Sequence, residues 1–500
     1  MSLRLGPVLR IASLATGIAW AGWQPGLAQS AADAAEKVRR ANALVQAEKP
    51  EQAIPIYREL VAAFPKEPSL RVNLAVAQYK AGRYQEAVEQ CQTLVEQQPE
   101  LFPAWLFLGA SQLKLGQAGS AVEALRKAAA LQPGDLNARL MLADALLEQQ
   151  QYKEAAGEYV EAEKAMPESP RVWYGLGRSY EGAAGEVFER QERARPGSAE
   201  VLALAGDFEF ERGQSARALR QYREALALRP EFRGLHAAIA EIYGRTGHPD
   251  WAAVERAREA RPGADCHGQT PECEFAAGHF EQAATAFADT PEQAYWQAKA
   301  FQTLAQSAYA RLRELPPSRE RAEATANAYE KGGRYRESAA AWREALQLAK
   351  GDMGIQRRLA LALCHSNDCG SALPMIRDLL GRDKSSAEFH YLYGLALLEI
   401  HDPAQAIQYL EIALQRDSKF QPAHGALGEA YLEVGRWELA IPQLEAALAE
   451  DDSGTRHYQL ARAYQGAGKQ ERAAAMLREY REILSRHETE DRNAPRITAP

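Results

Sequence analysis

The chain has 500 residues and a formal net charge of −8, with 46% hydrophobic and 25% charged residues. This composition is typical of a chain that folds, and it excludes a disordered one. Because nucleic-acid backbones are bound by clustered Lys and Arg, the acidic balance also argues against a nucleic-acid partner.

Residues 1–28 are predicted to be a secretory signal peptide. Arg4 and Arg10 give a basic start, residues 11–23 are an apolar run, and small residues precede a cleavage point after Ala28. The mature chain would then be exported, either periplasmic or secreted. An uncleaved membrane anchor is the alternative, but the run is too short to cross a bilayer core of about 30 Å as a helix. No integral membrane segment is predicted after cleavage, since no later run of apolar residues is long enough.

Four consecutive segments of equal length follow, starting at residues 34, 68, 102 and 136, so the sequence repeats with a period of thirty-four. Each segment has a small residue at its eighth position, an Ala at its twentieth and a Pro at its thirty-second. These are Ala41, Ala75, Gly109 and Ala143, then Ala53, Ala87, Ala121 and Ala155, and finally Pro65, Pro99, Pro133 and Pro167. Apolar residues recur every three or four positions on both sides of a turn, which predicts two helices per segment, here called helix A and helix B.

This pattern resembles the tetratricopeptide repeat, a helix–turn–helix that stacks on its neighbours. The resemblance implies an all-α fold, a right-handed α-solenoid of about 12–14 repeats. It assigns residues 34–262 to an N-terminal array and 319–487 to a C-terminal array. Within the first array, the repeat at 170–198 keeps its helix A but has a shortened helix B.

Residues 263–318 between the arrays are irregular. They contain one short helix-B pattern at 280–283 and one long predicted helix at 295–315. We predict degenerate repeats that continue the stack, and a hinge between two solenoid arms is the alternative. Helix B of the last repeat is predicted to end near Leu484, and residues 488–500 are predicted to be a disordered tail.

Four of the five cysteines form two close pairs, Cys266 with Cys273 and Cys364 with Cys369. Because export permits oxidation, both pairs are disulfide candidates. Cys91 stands at an apolar position of a helix B and is predicted to be buried. A metal site at Cys266, Cys273 and the nearby histidines is the alternative for the first pair. Their spacing matches no paired zinc motif, so no metal is expected.

No catalytic motif stands out. The sequence contains no Gly-rich phosphate loop, no His-Glu-x-x-His and no Gly-x-Ser-x-Gly. The repeats extend from 34 to 487 and leave no block of roughly a hundred residues for a catalytic domain. We therefore expect no enzymatic activity and no cofactor, and a repeat-fused enzyme is the less favoured alternative.

The family resemblance places a partner-binding groove on the A helices, at positions two, five, nine, twelve and thirteen of the repeats. The candidates at these positions are acidic, Arg and aromatic residues: Asp144, Glu148, Tyr174, Arg178, Asp207, Phe210, Glu211, Glu241, Arg245, Tyr391, Glu429, Tyr458 and Arg462. Such a surface suits a basic or mixed-charge segment, because aromatic and Arg side chains often anchor interfaces. A solvated helix face without a partner is the alternative, since charge on an exposed face is the default.

The sequence thus predicts a non-catalytic protein–protein interaction scaffold of the bacterial cell envelope, which binds a protein or peptide in its concave groove. The envelope role is implied by exported bacterial members of the family that this chain resembles. A structural subunit of an envelope assembly or export complex, held through its convex face, is the alternative.

Overall fold

A computed structural model of the chain describes residues 25–259, 270–288, 290–451, 453–492 and 497–499. Within them the chain forms 26 α-helices and no β-strand, so the all-α fold is confirmed. The helices before the centre are α1 (Pro25–Gln46), α2 (Pro50–Ala63), α3 (Pro68–Lys80), α4 (Tyr84–Gln97), α5 (Phe102–Lys114), α6 (Ala118–Leu131), α7 (Leu136–Glu148), α8 (Tyr152–Ala165), α9 (Pro170–Ala194), α10 (Ala199–Glu211), α11 (Ser215–Leu228), α12 (Leu235–Arg245) and α13 (Pro249–Arg258). The central helices are α14 (Pro271–Ala276), α15 (Phe280–Thr285) and α16 (Pro291–Glu314). The later helices are α17 (Arg319–Lys331), α18 (Tyr335–Leu348), α19 (Met353–His365), α20 (Cys369–Arg382), α21 (Ala387–Glu399), α22 (Pro403–Arg416), α23 (Gln421–Glu433), α24 (Trp437–Ala446), α25 (Thr455–Gly466) and α26 (Gln470–Arg492).

The helices belong to two compact units. The first unit contains the described parts of 1–186 together with 300–314, and the second unit contains those of 187–299 together with 315–500. Helices α9 and α16 each contribute residues to both. In the regular repeats, each helix contacts the next one along the chain, and several successive A helices, such as α3 with α5 and α19 with α21, also contact each other. This is the arrangement of stacked helical hairpins, in which each repeat buries its apolar face on its neighbours.

Close approach of helix B to helix A explains the small residue at the eighth position. A Cβ placed on Gly109 would lie 3.2 Å from the carbonyl oxygen of Ala121 and would overlap the side chain of Leu125, at position twenty-four of the same repeat. The same overlap recurs in three further pairs, Gly206 with Tyr222, Gly394 with Leu410 and Gly428 with Leu444. A bulky side chain at position twenty-four therefore requires a glycine opposite it in these repeats.

The repeat that starts at residue 170 departs from the prediction, because its helix B is not the adjacent segment. Helix α9 continues without a turn from Pro170 to Ala194. Residues 300–314 of α16 lie against it within the first unit. A Cβ on Gly177, at position eight, would overlap the ring of Tyr309, and the Tyr309 hydroxyl donates a hydrogen bond to Glu181 at 3.1 Å. Tyr309 therefore contacts position eight in the same way as the position-twenty-four side chain of a regular repeat does.

The sequence of α16 carries the register of a helix B. Ala305, Tyr309, Leu312 and Pro317 have the spacing of positions twenty, twenty-four, twenty-seven and thirty-two, and both Ala305 and Leu312 are buried. Arg311 also pairs with a carboxylate of the segment before α9, at 2.9 Å. The chain therefore contains a split repeat, whose helix A is α9 and whose helix B is the C-terminal part of α16. The sequence pattern predicts instead a shortened helix B after α9 and a separate degenerate repeat at α16, and the split repeat corrects both predictions.

The N-terminal part of α16, residues 291–299, packs within the second unit. A capping box at Thr290 begins the helix. The Tyr295 ring lies 4.9 Å from that of Phe232. The Gln297 amide donates to the Ala284 carbonyl in α15 at 3.0 Å and to the Ala286 carbonyl just after α15 at 2.9 Å. This part of α16 is therefore fixed by a buried aromatic contact and by backbone hydrogen bonds.

Some of the described cysteines are disulfide-bonded, and Cys91 has a free thiol. Cys364 and Cys369 form a disulfide that bridges the end of α19 to the start of α20. Cys273 is also disulfide-bonded, and Cys266 lies outside the described residues. Cys91 is free and buried, and burial raises the pKa of its thiol to about 12. Because the Cys364–Cys369 loop is short, closing it contributes about 2 kcal/mol on the chain-entropy model.

The structure describes only part of the predicted signal peptide and part of the predicted C-terminal tail. Residues 1–24 of the predicted signal peptide lie outside the described residues, and its last four residues are at the start of α1. None of the described helices is both long and apolar enough to span a membrane. At the other end, α26 runs to Arg492 instead of stopping near Leu484, so residues 488–492 of the predicted disordered tail are helical. No Gly or Pro interrupts the sequence before Pro495, which is why the helix continues.

Candidate protein-binding face

Two of the predicted groove carboxylates are engaged inside their own repeats. The hydroxyl of Tyr222, at position twenty-four, donates to Asp207, at position nine, at 2.7 Å. Tyr159 donates to Asp144 in the same way. A third repeat has an Asn at position nine, and its position-twenty-four Tyr57 donates to it. These contacts join helix B to helix A, so the position-nine side chains have a structural role.

The sequence contains a signal for this role that we did not use. In the three repeats whose helix B follows directly after helix A and has Tyr at position twenty-four, position nine is Asn or Asp. In four repeats where position twenty-four is Cys, Leu or Ile, position nine is apolar. Those pairs are Cys91 with Val76, Leu125 with Ala110, Ile376 with Leu361 and Leu410 with Leu395. A buried Tyr hydroxyl needs a hydrogen-bond partner, and the matched polar residue supplies it.

Both Asp side chains also form ion pairs that the sequence analysis did not predict. Arg171 of the next repeat pairs with Asp144 in the first unit. Lys299 of α16 pairs with Asp207 in the second unit, where only 4% of Asp207 is exposed. Burial raises the pKa of the adjacent Tyr295 well above its usual value, and Asp207 raises it further. Asp207 is therefore covered by the chain's own helix and is not available to a partner, which corrects the prediction for this residue.

In the first unit, Glu148, Tyr174 and Arg178 lie near one another. The Arg178 guanidinium is 5.7 Å from the centre of the Tyr174 ring. Burial raises the pKa of Glu148, and so does Asp144, while Arg178 opposes both effects. Glu148 and Arg178 line a shallow cleft together with Tyr152 and Glu181. The structure thus brings these predicted residues together, but around an Arg that already has partners.

In the second unit, Phe210, Glu241 and Arg245 form a cluster between α10 and α12. The Arg245 guanidinium lies 4.6 Å from the centre of the Phe210 ring and donates to Glu241 at 2.5 Å. Glu211 is exposed at the end of α10. Both Arg245 and Glu241 are exposed, so this cluster is a solvated surface feature held by its own charge pair.

Four of the five A helices of the C-terminal array, α19, α21, α23 and α25, form the surface on which the remaining candidates lie. We call positions five, nine and thirteen of these four helices the C-terminal A-helix face. Tyr391 packs against Phe420, with ring centres 5.1 Å apart, and Glu429 pairs with Arg456 at 3.3 Å. Tyr458 is 45% exposed. The face therefore presents aromatic side chains beside charged ones.

Apolar and acidic residues that we did not select complete this face. Leu361 and Leu395 are partly buried at position nine of α19 and α21. Glu433 at position thirteen of α23 is exposed, and its pKa is raised by partial burial and then by Glu429, while Arg462 acts in the opposite direction. The face thus combines half-buried leucines with carboxylates that would gain from a nearby cation.

No cluster of three or more His, Cys, Asp or Glu side chains in the described part of the chain has the geometry of a metal site. The histidines within it form local contacts. His457, for example, pairs with Asp451 at 2.7 Å, and the pKa of Asp451 is lowered by its hydrogen bonds to His457, against the effect of burial. These contacts fix the start of α25 and offer no open coordination position.

Comparison with known protein families matches both arrays. One tetratricopeptide repeat model matches residues 38–101 and 357–422, and a second matches residues 112–179 and 397–459. The chain is a tetratricopeptide repeat protein. Tetratricopeptide repeats serve as protein–protein interaction scaffolds, and this chain is built as one.

Solved tetratricopeptide repeat structures resemble the chain at low identity. A chain of the APC/C hetero-tetramer Cut9–Hcn1 is 12% identical to this chain, over 90% of this chain and 93% of the other, with a TM-score of 0.33. A tetratricopeptide repeat protein from Parabacteroides merdae ATCC 43184 is 12% identical over 66% and 98%, with a TM-score of 0.32. MamA from Desulfovibrio magneticus RS-1 is 18% identical over 33% and 95%, with a TM-score of 0.29. These TM-scores are too low for any inference about a partner, and no curated protein matches the chain.

Proposed function

We propose that this tetratricopeptide repeat protein is a non-catalytic scaffold that binds a segment of a partner protein on its C-terminal A-helix face. The observation that carries the proposal is the aromatic and acidic pattern of that face, on which Tyr458 and Glu433 are exposed and Leu361 and Leu395 are partly buried. Aromatic anchors surrounded by polar groups are typical of binding surfaces. The partner segment would carry apolar residues for the leucines and a basic residue for the carboxylates.

Electrostatics support a basic partner. Partial burial raises the pKa of Glu433, and repulsion from the Glu429 carboxylate raises it further. A Lys or Arg from a partner would relieve that repulsion and would add charge-assisted hydrogen bonds. Arg462 lies on the same face and would pair with an acidic residue of the partner. The preferred segment therefore contains both basic and acidic residues.

Crosslinking from the full chain in its native host tests this proposal. A photoreactive amino acid at Tyr458 or at Arg462 is expected to capture one and the same partner. Leu439 on the B helix α24 is the matched control, since it is 49% exposed against 45% for Tyr458. It is expected to give no adduct with that partner. In the same experiment Glu433→Lys should reduce capture, and Glu344→Lys, an equal charge change on the exposed side of α18, should not.

The outcomes separate the candidate functions. Capture of the partner from Leu439 and not from Tyr458 would favour the structural subunit held through its B-helix surface. Equal capture by Glu433→Lys and the unchanged chain would remove the acidic contribution. An adduct formed from position 458 that is lost in the Glu433→Lys variant would support binding on the C-terminal A-helix face.

We also propose that the scaffold acts in the bacterial cell envelope, after export and removal of residues 1–28. The basic start, the short apolar run and the small residues before Ala28 support this, and paired cysteines are in keeping with an oxidising compartment. Mass spectrometry of the native chain from the extracytoplasmic fraction should find an N-terminus at Gln29. A native chain that begins at Met1 or stays in the cytoplasm would contradict this.

A further inference from the structure

The last described residues of the chain lie on the surface of α11 and α12. The Arg223 guanidinium donates to the Thr498 hydroxyl at 2.5 Å, to the Thr498 carbonyl at 2.9 Å and to the Ala499 carbonyl at 3.0 Å. The Tyr243 hydroxyl donates to the same Thr498 carbonyl at 2.7 Å. Two side chains from neighbouring repeats therefore hold two successive peptide groups of the tail, all within the second unit.

The two donors are held in place by neighbouring side chains. The Tyr243 ring lies edge-on to Trp251 at 5.5 Å, and Trp251 in turn stacks on His248 at 4.1 Å. Arg223 also donates to the Tyr243 hydroxyl at 2.7 Å, which leaves that hydroxyl free to donate to the tail. A site of this kind is preorganised, so less side-chain order must be gained when a peptide binds.

The contacts define what the site recognises. Three of the four hydrogen bonds to the tail go to main-chain carbonyls, and the fourth goes to the hydroxyl of Thr498. The planar guanidinium, with its several donors, suits adjacent oxygen acceptors. The tail sequence Ile-Thr-Ala-Pro at 497–500 carries no charged side chain. The site therefore recognises main-chain carbonyls and one hydroxyl.

We propose that Arg223 and Tyr243 form a second peptide-docking site, separate from the C-terminal A-helix face, and that the chain's own C-terminal segment occupies it. The tail is seated on these residues in the structure, which argues for this occupant. Because the tail is tethered to α26, its effective concentration at the site is far above that of a free peptide. A competing segment would then bind here only by displacing the tail.

The test compares the full chain with a chain that ends at Arg492. A fluorescent synthetic peptide of residues 493–500 is titrated to millimolar concentration and followed by anisotropy. We expect saturable binding to the shortened chain and at least tenfold weaker binding to the full chain, whose tail competes. Arg223→Ala in the shortened chain should abolish binding. Arg220→Ala should leave it unchanged, because Arg220 lies on the same helix and is exposed.

Three results would overturn the proposal. They are no saturable binding to the shortened chain, equal binding to the full and the shortened chains, and equal binding to the Arg223→Ala variant. Sedimentation of the full chain measures its oligomeric state and is a further test. A monomer supports docking of the tail on its own chain, whereas a dimer that disappears on removal of 493–500 would show that the tail docks on a second copy.

Discussion

Replacing Lys299 by methionine will destabilise the α10–α16 region of the second unit by about 3 kcal/mol, near the low end of the range for breaking a buried ion pair. Lys299 pairs with Asp207, which is almost entirely buried. The variant leaves that carboxylate without its cation, and only the Tyr222 hydroxyl still hydrogen-bonds to it. The low end applies because the Lys299 side chain is itself 28% exposed.

Repeat arrays do not unfold in one step, so this effect should be measured as local opening. Hydrogen exchange of α10 and of residues 291–299 should accelerate in Lys299→Met, while α19 to α26 should exchange as before. Lys350→Met is the matched control, since Lys350 is exposed in the turn after α18. It should change nothing.

A second substitution tests whether the cost comes from the buried charge. In Lys299→Met with Asp207→Asn, the amide keeps an acceptor for Tyr222 but removes the unpaired charge, so more than half of the lost stability should return. If the double variant is less stable than Lys299→Met alone, the charge pair is not what fixes α16 to α10.

Replacing Tyr309 by alanine will cost about 3 kcal/mol in the first unit, as expected when a large packed aromatic side chain is removed. Tyr309 packs against Gly177 in the split repeat and donates to Glu181. If residues 300–314 are the helix B of that repeat, the first part of α9 depends on them. Exchange should therefore accelerate in α9 and in 300–314 together.

Gly177→Leu examines the same contact from the other helix. A leucine there would overlap the Tyr309 ring and force the two helices apart, at a cost of about 1–3 kcal/mol. Ser307→Ala, on the exposed side of α16, is the control and should have little effect. Faster exchange of 300–314 in Tyr309→Ala without any change in α9 would show that the split repeat is not a cooperative pair.

The position-nine residues show which contacts can be predicted from the sequence and which cannot. Position nine was expected to face a partner, and Arg462 does lie exposed there. At Asp144 and Asp207 the same position serves the Tyr of helix B instead. The pairing of Tyr with Asn or Asp was visible in the sequence, because both residues belong to one repeat. The ion pair of Asp207 with Lys299 was not visible in the sequence, because Lys299 lies in a different part of the chain.

The sequence by itself determined what happens within thirty-four residues: two helices, the turn between them, and the small residue where they approach. Those contacts are local, so the periodicity of side chains encodes them directly. Only the tertiary structure decided that α9 pairs with the C-terminal part of α16. That contact joins Gly177 to Tyr309, two residues far apart in the chain. The choice between partners at such a separation depends on which surfaces the intervening residues 187–299 bring together, and no local pattern records it.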